Sequence, residues 1–140
     1  MDRRGQILNM AAAFSGKTPD HIDPADLFGK DRIEGDDADE FWEAFAREFV
    51  VDLSDLRDYL HYDGNEPPLW RTAWGIGADG RRIADIPIGL ADLQAAADAG
   101  RWKMIYPPHR LYKRRILTPV ALPLLLATTI VVLSWSTFPH

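Results

Sequence analysis

The sequence predicts a mainly α-helical domain with a small β-hairpin, followed by one C-terminal transmembrane helix. Three observations carry that reading. Apolar residues recur at three- and four-residue steps over 3–14, 36–50 and 89–99. An Ala78-Asp79-Gly80 turn separates two short apolar runs. Residues 116–138 form a run of 23 residues without a charge.

In the first helix, Ile7, Met10, Ala11 and Phe14 share a stripe, and Ser15-Gly16 with Pro19 beyond stops it. The loop over 17–35 carries Leu27, Phe28 and Ile33, apolar residues that should pin it to the core. In the second helix, Ala38, Phe41, Trp42, Phe45 and Phe49 lie on one face. Asp36 or Asp37 is expected to cap it, with Asp39 or Glu40 three residues on. A shorter helix is expected after Ser54, which would cap it, with Leu53, Leu56 and Leu60 as its stripe. A loop over 61–68 ends in Pro67-Pro68. Leu69–Ile76 and Arg82–Ile86 are the expected hairpin arms, because Asp-Gly supplies the positive φ that a tight turn needs. Leu90, Leu93, Ala96 and Ala97 mark the last helix of the domain, with Gly100 as its stop.

The membrane reading rests on length and flanks. At about 1.5 Å per residue the uncharged run extends roughly 34 Å, against a hydrocarbon core of about 30 Å. Pro119 and Pro123 fall in its first two turns, where missing amide donors matter least. Lys113, Arg114 and Arg115 precede it, and Trp135 lies near its far end, as membrane-anchor flanks. Positive charge stays on the cytoplasmic side, so the expectation is a single-pass protein of the inner (plasma) membrane with a cytoplasmic domain. The opening Met1-Asp2-Arg3-Arg4-Gly5-Gln6 lacks the apolar run and small-residue cleavage site of a secretory signal. The expected organisation is an acidic domain over 1–105, a basic juxtamembrane linker over 106–115 and the span over 116–138.

Charge is unevenly placed. Residues 1–100 carry ten Lys and Arg against twenty-one Asp and Glu, a net of −11, whereas the last forty residues carry six cations and no acid. The acidic part argues against nucleic acid as a partner, since phosphate contacts need a basic face. Cysteine is absent, which excludes disulfides, thiolate metal sites and a cysteine nucleophile. Four histidines are scattered without ligand spacing, and the acidic run from Asp36 to Glu40 lacks the EF-hand pattern. No nucleophile-elbow, phosphate or dinucleotide loop is present. No metal, cofactor or small-molecule substrate is therefore expected, and the chain does not read as an enzyme.

Ile22-Asp23-Pro24-Ala25-Asp26-Leu27-Phe28, followed by Gly35-Asp36-Asp37-Ala38-Asp39-Glu40-Phe41, resembles an acyl carrier protein. The second of these stretches, with Phe49-Val50-Val51-Asp52-Leu53, Ile88-Gly89-Leu90 and Ala99-Gly100-Arg101-Trp102, is similar to a bacterial acyl-carrier-like family, domain of unknown function 1493. The resemblance covers roughly 5–105 and implies an acyl-carrier-like helical bundle. In carriers, Asp-Ser-Leu opens the second helix and the serine bears phosphopantetheine. Here Asp36 matches the aspartate, Asp37 stands at the serine position and Ala38 at the leucine position. A carboxylate cannot form that phosphodiester, so Asp37 replaces the attachment site and no cofactor is implied.

What remains is an acidic surface. Residues 34–66 hold twelve acids and two arginines. Asp36, Asp37, Asp39, Glu40 and Glu43 are the expected contact residues for a basic protein partner. The alternatives are a solvated helix face, a carrier modified at a non-standard site, and a carboxylate-dependent enzyme using Asp36, Asp37 and Glu40.

Overall fold

The computed structural model describes residues 2–64 and 71–114. Helix α1 spans Arg3–Ser15, α2 spans Gly35–Phe49 and α3 spans Leu90–Ala99. Short 3-10 turns occupy Pro19–His21 and Asp58–Leu60. Strands β1 (Ala73–Gly77) and β2 (His109–Lys113) pair antiparallel.

Local chemistry sets the helix limits. The Asp2 carboxylate accepts from the Gly5 amide at 2.8 Å and starts α1, and Gly16 ends it in the left-handed region. Gly100 ends α3 the same way. At the start of α3 the Asp92 carboxylate accepts from the Gly89 amide at 2.8 Å. A side chain at Gly89 would meet the Pro24 carbonyl oxygen at 2.9 Å, which is why the loop before α2 can lie against α3. Leu27 N donates to Ile88 O at 2.8 Å and Leu90 N to Pro24 O at 2.7 Å across that contact.

The core forms where the apolar stripe of α2 meets α1, the 22–33 loop and Tyr62. Phe28, Phe41 and Phe45 are fully buried and Trp42 nearly so, while Phe49 is partly buried. Phe28 stacks on Trp42 at 4.9 Å and on Tyr62 at 5.3 Å. The Trp42 indole N–H donates to the Tyr62 hydroxyl at 2.8 Å, so the polar tip of each ring is satisfied inside the core. Ile7, Leu27, Ile33 and Leu93 complete the packing.

The expected fold is corrected. The acyl-carrier-like helical bundle with a hairpin and a transmembrane helix gives way to three helices and a two-stranded antiparallel sheet. No helix among the described residues is long and apolar enough to cross a membrane, and the expected span over 116–138 lies outside them. The hairpin is replaced by a longer-range pairing. The Asp79-Gly80 turn does form, with Gly77 N donating to Arg81 O, but the backbone of its second arm pairs with β1 just at the Ile76–Arg82 bridge and through Ile83 N to Gly75 O. Ile86 N bonds Leu60 O at 2.8 Å and Arg71 grips Asp85 at 2.7 Å, which draw that arm away. Strand β2 pairs along the other edge of β1, so residues 109–113 of the segment expected as a linker over 106–115 belong to the sheet.

The helix expected after Ser54 reduces to the turn Asp58–Leu60. Ser54 caps no helix: its amide donates to the Asp52 carboxylate at 2.9 Å, which holds the Asp52 carboxyl below its usual range, and the Asp58–Leu60 turn starts after Arg57 without a side-chain cap. Asp52 is also tied to the segment after α3, through its amide to Gly100 O and its carbonyl to Trp102 N, both at 2.9 Å. Val50 makes the sharp exit from α2 in the left-handed region at φ 54°, an uncommon place for a β-branched residue.

Candidate functional site

Because Ala38, Phe41, Trp42 and Phe45 of α2 point into the core, the 3.6-residue period turns Asp36, Asp37, Asp39, Glu40 and Glu43 outward, and all five are exposed. The residue expected to cap α2 is not Asp36 or Asp37. Glu34 holds the cap position without a side-chain bond, and the two aspartates sit in the first turn, where carboxylates complement the helix dipole. None of the five carboxylates forms an ion pair among the described residues. Their mutual proximity is felt: partial burial, then the charges of Asp58, Asp36 and Glu43, raise the Asp39 carboxyl above its ordinary range.

Asp39 also opens onto a groove of about 460 Å³, lined by Asp58, Tyr59 and Asp63 on one side and by Leu111 and Lys113 of β2 on the other. The acidic surface therefore extends from α2 to the 58–63 segment. The sequence placed Asp58 and Asp63 in the same acidic stretch but gave no sign that Asp58 neighbours Asp39.

The histidines among the described residues are occupied structurally. His61 is 3% exposed. Its Nδ1–H donates to the Ile86 carbonyl at 2.7 Å, which leaves Nε2 to accept from the Tyr106 hydroxyl at 2.7 Å. The same hydroxyl accepts from the Trp102 indole N–H at 2.8 Å and from the Arg57 amide at 3.2 Å. His61 is held neutral, with its pKa lowered chiefly by burial, and neither ring nitrogen is open to a metal or a substrate proton. This buried node joins three separated segments, and no periodicity or motif could have pointed to it. His109 accepts from the Tyr59 hydroxyl at 2.8 Å and donates to Pro107 O, and His21 bonds Thr18 Oγ1 at 2.7 Å.

A second cleft, of about 680 Å³, lies between the 26–34 loop and Arg71 with Asp85. Its charges are mixed and largely committed. Arg71 bonds Asp85 Oδ1, the Tyr59 carbonyl and the Ala73 carbonyl, and Arg32 bonds the Phe28 carbonyl. Among the described residues no group of three or more His, Cys, Asp or Glu side chains could hold a metal ion.

Of the expected membrane flanks, Lys113 ends β2 opposite Ala73 and is exposed, and the Arg114 amide bonds the Thr72 carbonyl at 2.6 Å. Arg115 and Trp135 lie outside the described residues. Comparison with protein-family models, with characterised proteins and with solved structures returns no match, so the resemblance to the acyl-carrier-like family rests on the quoted residues alone.

Proposed function

We propose that this chain is a non-enzymatic interaction protein. It binds a basic protein partner through the outer face of α2, and its C-terminal residues hold it at the cytoplasmic face of the inner membrane. The observation that carries the first half is the set of five exposed carboxylates on one helix face, without an ion-pair partner among the described residues. Such a face concentrates like charge in the free protein, and a cationic partner offsets it on binding. The helix beneath is rigidly seated by its aromatic stripe, so the charges are presented without reordering of the fold. Asp37 stands in that face as a charge, not as an attachment point, and no prosthetic group is carried.

Support for membrane attachment comes from the uncharged run over 116–138 and the cations before it. Two measurements test the proposal. Co-purification from native membranes with the full chain should recover a basic partner that is lost in the D36N/D37N/E40Q/E43Q variant and at high salt. Carbonate extraction should leave the full chain in the membrane pellet. Equal recovery by the neutralised variant rejects the docking face, and release by carbonate rejects the attachment.

A further inference from the structure

The two faces of the β1–β2 sheet have different chemistry. The register pairs Trp74 with Tyr112 and Ile76 with Arg110, placing these four side chains on one face. Arg114 follows Tyr112 by two residues and falls on that face, its amide bonded to Thr72 O. Arg82, bridged to Ile76, lies over the Trp74 ring at 5.8 Å. The Trp74 and Tyr112 rings stack at 4.6 Å. Tyr112 is 46% exposed, and Arg82, Arg110 and Arg114 are all exposed.

The other face carries Gly75, Leu111 and Lys113. A side chain at Gly75 would collide with the buried Leu60, so this is the side on which the sheet meets the protein body. Leu111 and Lys113 line the groove with Asp39 and Asp58, so these acids and the arginines lie on opposite sides of one sheet. Asp85 stands 3.9 Å from Arg82 and is bonded to Arg71 at 2.7 Å.

The geometry points to the outer sheet face as a docking surface for an anionic lipid bilayer, with Arg82, Arg110 and Arg114 contacting headgroup phosphates and carboxylates and the Trp74–Tyr112 stack lying at the interface. This rests on the membrane attachment proposed above and deepens it. Three features favour a bilayer as the occupant. Stacked Trp and Tyr with flanking arginines match the composition of a membrane–water interface. The charge complements anionic headgroups. The chain runs from β2 through Arg115 directly into the uncharged residues 116–138, which would bring this face close to the bilayer.

The test uses the full chain with vesicles of phosphatidylcholine alone or of phosphatidylcholine with phosphatidylserine. Hydroxyl-radical oxidation of Trp74 and Tyr112 is read by mass spectrometry. Both rings should oxidise several-fold more slowly with phosphatidylserine present, and added salt should remove the difference. Each arginine near an anionic surface is worth about fivefold in partitioning. R110E/R114E, which leaves Arg82 on Trp74, should therefore abolish the protection, and R110K/R114K should retain it. Equal oxidation on both vesicles overturns the inference, as does protection by a single-stranded oligonucleotide without protection by phosphatidylserine. Flotation separates the two readings. A chain that floats with both vesicles but shows no phosphatidylserine effect loses only the sheet face. Flotation with phosphatidylserine vesicles alone, with the rings protected, removes attachment by 116–138 and leaves the face standing. Flotation with neither ends both.

Discussion

Helix α2 and the β1–β2 sheet are both short elements with one buried and one exposed face, yet they are built by opposite means. In α2 each contact face is set by residues three and four apart, and the helix would present its acids outward wherever it docked. The sheet joins residues 73–77 to 109–113, with α3 lying between them in the chain, and its faces exist only after that pairing is made. The acidic face is therefore a property of local sequence, whereas the arginine face is a property of the fold. A change in the core beneath α2 should damage the whole domain, and a change in the outer sheet should alter a surface.

The largest effect should come from the helix side. Phe45→Ala empties a fully buried site in the aromatic cluster and should cost about 3–5 kcal/mol in denaturant unfolding. Arg110→Ala, on the exposed outer face of β2, should change stability by no more than about 0.5 kcal/mol. Comparable costs would break the contrast between the two regions.

Next in size is the node that ties the sheet end of the chain to the core. Tyr106→Phe removes the acceptor for the Trp102 and Arg57 N–H groups and the donor to His61, and should cost about 1–3 kcal/mol. Gly75→Ala should fall in the same range, about 1–3 kcal/mol, because its methyl group meets Leu60 where the sheet rests on the body. A neutral Gly75→Ala would mean that the sheet sits loosely.

Acid should act on the two regions with opposite sign. Burial lowers the His61 pKa, so the unfolded chain binds the proton more readily. The stability that His61 provides should be present at neutral pH and be lost as pH falls below about 6.5, the ordinary histidine value. Asp39 is raised in the fold, so its charged form is a liability at neutral pH that protonation relieves as pH falls through its folded value. Unfolding midpoints measured against pH should lose the first component in His61→Gln. The smallest effect is Asp39→Asn, which removes like charges at one-turn spacing from Asp36 and Glu43. It should stabilise the domain by about 0.2–0.5 kcal/mol at low salt and by less as salt screens the site.

The same contrast explains what was legible in the sequence. The three helices, their stop residues Gly16 and Gly100, and the burial of Phe41, Trp42 and Phe45 follow from short-range spacing. The Asp79-Gly80 turn is also legible, but not the pairing of β1 with β2, which joins segments on either side of α3. Ser54 reads as a helix cap because serine is a good one, but no helix starts there, and its amide bonds the Asp52 carboxylate in a turn. The outward set on α2 could be read directly, whereas the approach of Asp58 to Asp39 and the bonds around Tyr106 depend on tertiary placement.

Photo-cross-linking in native membranes tests the division between the two faces most directly. A photoreactive residue is placed at Glu40 on α2 in one full-length variant and at Arg110 on β2 in another. Position 40 should yield a protein adduct, with a partner whose contacting peptide is basic, and position 110 a phospholipid adduct, as that division requires. Lipid adducts from both positions, or a protein adduct from position 110 with none from position 40, would contradict it.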